Sequence, residues 1–417
     1  MEADKRWAPS SQEEIFAGMV AACKNDLDWF DLKNLTASYF AGHDVADIAK
    51  EAFTRHIGDN VLHQHGLHLS IRQYEQEVLA LVLGLFNAPD EATGTITTGG
   101  SESIMLALKT ARDRARILQP QIETPEIVIP QSAYAVFNKA CHLLGLKLVQ
   151  MESSPNFHAD VAGMEAAINE NTIMLVGSAP PFPYGVVDPI PELAKLAKAH
   201  GLWLHVDACI GGFMLPFAKA LGEPMPDFDF SVDGVTSISC DFHKYGYAYR
   251  GCSIVLLRDA ELEKYQGFST DAWPAGDYFS KNIVGSRNGG PIASAWAVMN
   301  YLGYDGYVEI TRQLLAARQQ FFDQIEETAG ATLIGQPQGP HFAFAIEDVD
   351  IHVVLDGLMA RGWGANIGTK PDSVIIMLSY HHGAAAEAFG NDLRAVLDEA
   401  RSGQRQDKRD EKVYGIY

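Results

Sequence analysis

The chain changes character twice along its length. From about residue 61 to 305, short apolar runs alternate with segments whose apolar residues recur every third or fourth position. Glu126–Pro130, Lys147–Met151, Ile173–Gly177, Leu202–Val206 and Val235–Ser239 read as buried strands. Between two of them Pro191 opens a helix that Gly201 ends. Another helix follows Gly100, with Ile104, Leu108, Ala111, Ala115 and Leu118 on one face. Such alternation predicts an α/β domain with a mostly parallel sheet covered on both faces. Residues 1–60 read as an N-terminal arm with short helices. From 306 to 417 the pattern predicts a smaller α+β domain. A long helix carries Ile310, Leu314, Phe321 and Ile325, followed by a strand (Phe342–Ile346), a helix (Asp350–Gly362), a strand (Val374–Ser379) and a last helix (Ala384–Arg401). The charged tail from Gln404 reads as solvated.

Composition narrows the function classes. Apolar residues make up 47 % of the 417 and charged residues 20 %, as in soluble globular proteins, and the length fits two or three domains. A net charge of −21 repels nucleic-acid backbones and anionic membrane surfaces. A phosphorylated small molecule could still bind in a basic or amide-lined pocket. The five cysteines are scattered with no C-x-x-C pair, which argues against a disulfide framework or a metal site and fits a reducing cytoplasm. The N-terminus has no signal-peptide core, and the longest apolar run, Val78–Phe86, is far short of a bilayer span.

Three motifs fall at the ends of expected strands, where open α/β sheets hold their ligands. Thr97–Ser103 (TTGGSES) turns on two glycines into a helix, so Gly100 and Ser101 could cradle a phosphate on free amides. An ordinary serine-capped turn would look the same. His205–Cys209 (HVDAC) ends a strand on Asp207, which could pair with a protonated ring nitrogen or simply cap the next loop. Ser239–Gly246 (SCDFHKYG) sets Lys244 among aromatic residues. That lysine could form a Schiff base if desolvation lowers its pKa, or lie in solvent. A phosphate cradle, a ring-nitrogen acid and a lysine, in this order, are what a pyridoxal-phosphate site of fold type I needs.

On these motifs, with FPYGVVDPIPELAKLA and GSRNGG, the sequence resembles the sphingosine-1-phosphate lyase branch of the group II pyridoxal-dependent decarboxylases. The resemblance runs from about Asn34 to Gly306 and loosens beyond. It implies that Lys244 binds pyridoxal 5'-phosphate covalently and that Asp207 pairs with its ring nitrogen. Gly100, Ser101 and His243 would hold its phosphate. Gly285 and Ser286 would reach that phosphate from a second subunit of a homodimer with shared active sites. Tyr39, His63 and Arg250 match positions suited to a phosphate on the substrate, a small phosphorylated amine. Arg250 replaces the family's usual lysine and brings a bidentate fork.

Two positions depart from the family. Tyr134 stands where a histidine usually covers the cofactor ring, and can stack there but is a poorer proton carrier. Tyr184 replaces a histidine common in FPHGVxDP. The implied reaction is retro-aldol cleavage of a phosphorylated long-chain sphingoid base, in a soluble chain without the membrane anchor of eukaryotic relatives. Amino-acid decarboxylation is the runner-up. Aminotransfer, or binding of pyridoxal phosphate without turnover, are further alternatives.

Overall fold

In the computed structural model, which describes residues 9–404 except Leu27 and Ala37, the core is a seven-stranded sheet. Its strands are β1 (Thr93–Thr97), β2 (Glu126–Pro130), β3 (Lys147–Met151), β4 (Thr172–Ser178), β5 (Trp203–Asp207), β6 (Ser237–Asp241) and β7 (Ser253–Leu257). They lie in the order β1-β7-β6-β5-β4-β2-β3. All neighbours are parallel except β7, which runs antiparallel to β1 and β6. Every residue of β2, β4, β5, β6 and β7 is buried, which explains their near-continuous apolar runs. The five strands expected in this region are present within a few residues of the expected bounds. β7 carried no separate expectation.

The helices follow their punctuation. Ile190–His200 begins at Pro191 and stops at Gly201, whose φ of +65° is the left-handed conformation that glycine adopts without strain. Gly100–Leu118 follows β1 directly, buries Ile104, Leu108, Ala111 and Ala115, and points its N-terminus at the ends of β5 and β6. The helix expected from about 306 is the second of two that join at a non-helical Gly303 (φ +56°) within the span Gly290–Glu326.

A hairpin, β8 (Phe268–Thr270) with β9 (Tyr278–Ser280), stands apart from the main sheet. The C-terminal part forms an antiparallel sheet, in the order β10-β11-β13-β12, of β10 (Ala331–Leu333), β11 (His341–Ile346), β12 (Asn366–Thr369) and β13 (Asp372–Met377). Helices Ile351–Met359 and Ala386–Arg401 pack with it. Polar contacts tie the two sheets together. The Tyr245 hydroxyl donates to the Leu378 carbonyl (2.8 Å), and the His341 ring Nε2 meets the Pro181 carbonyl (3.0 Å). The N-terminal helix Gln12–Ala22, closed by a Ser11–Glu14 capping box, buries none of its residues. The charged tail beyond Gln404 lies outside the described residues.

Candidate active site

The carboxyl ends of β5 and β6 and the N-terminus of Gly100–Leu118 converge on one cavity of about 420 Å³. Its lining brings together Tyr39, Gly100, Ser101, Tyr134, Asp207, His243, Lys244 and Arg250. These residues span more than two hundred positions of sequence. Most of them meet because parallel strands deliver their following loops to the same edge, while Tyr39 comes from the N-terminal arm and Arg250 from just ahead of β7.

Lys244 follows β6 by three residues, and its amine lies 2.9 Å from the Asp241 carboxylate. Desolvation was expected to lower the lysine pKa. Burial acts in that direction, but the groups around the amine together outweigh it, Asp241 foremost with Tyr39 and Cys209, and hold the ammonium well above its ordinary range. The reciprocal effect shows on Asp241. Burial works to raise its pKa, yet Lys244 and His243 bring it below the usual carboxylate value. Asp241 also accepts the Ser253 hydroxyl. At Asp207, burial prevails and raises the pKa, against donation from Cys209 and the charge of Lys244. Its Oδ1 accepts the Cys209 amide at 3.0 Å and the Ser239 hydroxyl at 3.2 Å.

The glycine turn is a close-packed cradle. A Cβ at Gly100 would lie 2.8 Å from Cys209 Sγ and 2.9 Å from Asp241 Oδ1, so a larger residue could not hold this backbone in place. Glu102, in the first helical turn, is buried. It accepts the Thr98 amide and hydroxyl (both 2.8 Å) and the amides of Ile283 (2.9 Å) and Val284 (3.1 Å). His243 donates from Nδ1 to the Cys252 carbonyl at 2.8 Å, which fixes its ring at the cavity wall. The Tyr39 ring packs edge-on to Tyr245 (5.1 Å between centroids), and the Arg250 guanidinium lies over the Tyr39 ring at 6.0 Å.

Three of the sequence candidates lie away from this cavity. His63 ends a short 3-10 helix, Val61–His63, on the surface. Gly285 lines a separate cavity with Leu62, Arg72 and Phe279. Ser286 is exposed and accepts the Asn60 side-chain amide at 3.1 Å. Tyr184 is no part of the cavity either. Its hydroxyl donates to the Lys370 carbonyl and its ring packs on Phe157, 5.1 Å between centroids.

Sequence reasoning passed over several lining residues. Asp241 lies two positions past Ser239 on the same strand, so its alternation with Ser239 and Ser237 was a usable signal. Pro180 and Phe182 come from the loop after β4. Asn366 and Met377 come from β12 and β13, and nothing local in the sequence places a C-terminal strand at this cavity. Among the described residues there is no cluster of side chains suited to a metal ion, and no helix is long and apolar enough to cross a membrane.

Residues 6–347 match the pyridoxal-dependent decarboxylase conserved domain. A sphingosine-1-phosphate lyase from Oryza sativa is 41 % identical over 85 % of the chain and 66 % of its own length. The structure of Burkholderia pseudomallei sphingosine-1-phosphate lyase superposes with a TM-score of 0.90 at 33 % identity, covering 97 % of this chain and 94 % of that one. A probable L-aspartate decarboxylase of Pyrococcus furiosus is 35 % identical over 85 % of this chain and 92 % of its own. The chain spans 62–66 % of the length of the plant and mammalian lyases it matches.

Proposed function

The chain belongs to the pyridoxal-dependent decarboxylase family, and from that premise we propose that it is a carbon–carbon lyase acting on a phosphorylated long-chain amino alcohol. The family's cofactor is pyridoxal phosphate, and the cavity fits it on three counts. It holds a half-buried lysine for an aldehyde, a buried carboxylate for a ring nitrogen, and a glycine cradle at the N-terminus of a 19-residue helix for a phosphate. When bound, the cofactor supplies an electron sink for a bond broken at the carbon bearing the substrate amine.

The protein's own residues divide the remaining work. Lys244 would anchor the cofactor and could carry a proton as a free amine. Asp207 would keep a ring nitrogen protonated. Gly100, Ser101 and His243 would hold the cofactor phosphate, and Tyr134 would offer a ring for packing. Tyr39 and Arg250 receive the substrate's phosphate. In the proposed reaction the C2–C3 bond breaks, the C3 hydroxyl gives up its proton to leave an aldehyde, and C2 takes up a proton to leave phosphoethanolamine. Gly285 and Ser286 would act from the second subunit of a homodimer, and His63 would meet the substrate's phosphate; none of the three lines the cavity of its own chain. A cytoplasmic location fits the five scattered cysteines, none of them paired.

The observation that supports this reading is Arg250 beside Tyr39 in the cavity, a cation and a phenol that could receive an anion besides the cofactor's phosphate. An arginine fork also suits an α-carboxylate. Together with the Pyrococcus relative, that keeps decarboxylation as the second reading. Purified protein loaded with pyridoxal phosphate should release a fatty aldehyde from phosphorylated dihydrosphingosine. No aldehyde, with carbon dioxide released from an amino acid, would reverse the ranking. Lys244→Ala should lose the visible absorption band of the lysine-bound cofactor, and a band that persists would exclude the assignment.

A further inference from the structure

Trp203, His205 and Asp207 alternate along β5, and Ser237 and Ser239 along β6. Parallel pairing sets His205 opposite Ser237 and Asp207 opposite Ser239, so the five side chains share one face. They form an unbroken hydrogen-bonded chain. Trp203 Nε1 is 2.7 Å from Ser237 Oγ, which is 2.8 Å from His205 Nδ1. His205 Nε2 is 3.3 Å from Ser239 Oγ, which is 3.2 Å from Asp207 Oδ1.

The carboxylate end fixes the direction. An ionised carboxylate only accepts, so Ser239 gives its one hydrogen to Asp207 and accepts from His205 Nε2. A neutral imidazole has a single N–H, and it is therefore on Nε2. The bare Nδ1 then accepts from Ser237, which in turn accepts from the Trp203 indole nitrogen, a group that only donates. Cys209 completes the arrangement, with Sγ 3.3 Å from Ser239 Oγ and its amide on Asp207 Oδ1. His205 is fully buried with the Phe137 ring at 6.0 Å, and desolvation takes its pKa down to about 3, which keeps it neutral.

The geometry points to His205 and Ser239 as positioning residues for the reaction, the last links of a one-way hydrogen-bond chain from Trp203 that keeps Asp207 ionised as the partner of the cofactor's ring nitrogen. The inference rests on the proposed role of Asp207. Donors aligned in one direction polarise each other, and the final one offsets the cost of burying a carboxylate. Without it, Asp207 becomes more basic and draws the proton off the ring nitrogen. The ring then withdraws electrons less strongly, and the lysine-bound cofactor keeps its own imine proton to higher pH.

Two measurements test this, and the first needs no cofactor. In 15N-histidine-labelled apo protein, His205 should appear as a neutral Nε2–H tautomer that does not titrate between about pH 5 and 9. Its signal is assigned by its loss in His205→Phe, or by its shift in Ser237→Ala should the first variant not fold. An Nδ1–H tautomer, or titration in that range, overturns the chain whatever the protein binds. In the holoenzyme, Ser239→Ala should raise the pKa read from the cofactor absorption band and lower kcat roughly tenfold, leaving KM within about twofold. Ser239→Thr should restore both. A Ser239→Ala enzyme with unmoved band and kcat would make the chain mere packing and end the inference. A wild-type protein that takes up no pyridoxal phosphate would overturn the functional reading and the positioning role with it, while the tautomer is still judged by the nitrogen spectrum.

Discussion

At the scale of single residues, much of the cavity was legible because its chemistry depends on residue types that are rare in combination. Lys244, Asp207 and the Gly99-Gly100-Ser101 turn each had an ordinary explanation, and only their order along the chain pointed to one site. The protonation state of Lys244 was not legible. Burial alone predicts a depressed pKa, and the groups around the amine, Asp241 at 2.9 Å foremost, reverse the sign. That reversal has a kinetic consequence. An aldehyde is captured by a neutral amine, so uptake of pyridoxal phosphate by the apo protein should accelerate as pH rises, about tenfold per unit while the ammonium dominates. In Asp241→Asn, burial is no longer opposed by that anion. The variant should take up cofactor faster near neutral pH and with a shallower pH dependence, as measured by the growth of the absorption band after mixing. Equal slopes for the two proteins would show that the ion pair does not control the amine.

At the scale of elements, the periodicity of the sequence located most strands of the main sheet and the helices between them. It did not show β7, whose apolar run resembles its parallel neighbours although it runs the other way. It also did not show that a carboxylate joins the cradle to a distant loop. Glu102 occupies the third position of its helix, where a side chain commonly reaches back to the preceding amide, and its contact with Thr98 is of that kind. Its other oxygen accepts the amides of Ile283 and Val284, just ahead of Gly285 and Ser286. Four donors on one buried carboxylate cannot all be satisfied by an amide, which has one accepting oxygen and adds two donors of its own. Glu102→Gln should therefore lower stability by about 1–3 kcal/mol. It should also release residues 283–286, which hydrogen exchange would report as faster labelling of that peptide. Unchanged labelling would mean that other contacts hold the loop.

At the scale of the whole molecule, the C-terminal sheet was legible as an element pattern, but its approach to the cavity through Asn366 and Met377 was not, because only the assembled chain brings it there. The same assembly buries histidines in both parts. His205 lies on β5, His341 on β11 against the Pro181 carbonyl, and His382 beside His381 after β13. Desolvation holds them at about 3, 4 and 3, the last with help from His381. In the unfolded chain they titrate near 6.5. As pH falls below that value, the unfolded state binds protons that the folded state cannot, so stability is lost from about pH 6.5 downward. Each histidine contributes a slope of up to about 1.4 kcal/mol per pH unit. Asp188 opposes them. Burial lifts it to about 6 against its two amide donors, so between 3.8 and 6 the folded state holds a proton that the unfolded state releases. That cancels roughly one histidine over the same window and leaves a net loss on acidification. Urea midpoints should therefore fall between pH 7.5 and 5, well above the range where ordinary carboxylates titrate. His341→Phe, which keeps a ring against Phe182, should be less stable at pH 7.5 for want of the Pro181 contact yet lose less on acidification. A variant whose midpoint falls as steeply as the wild type would remove His341 from the account.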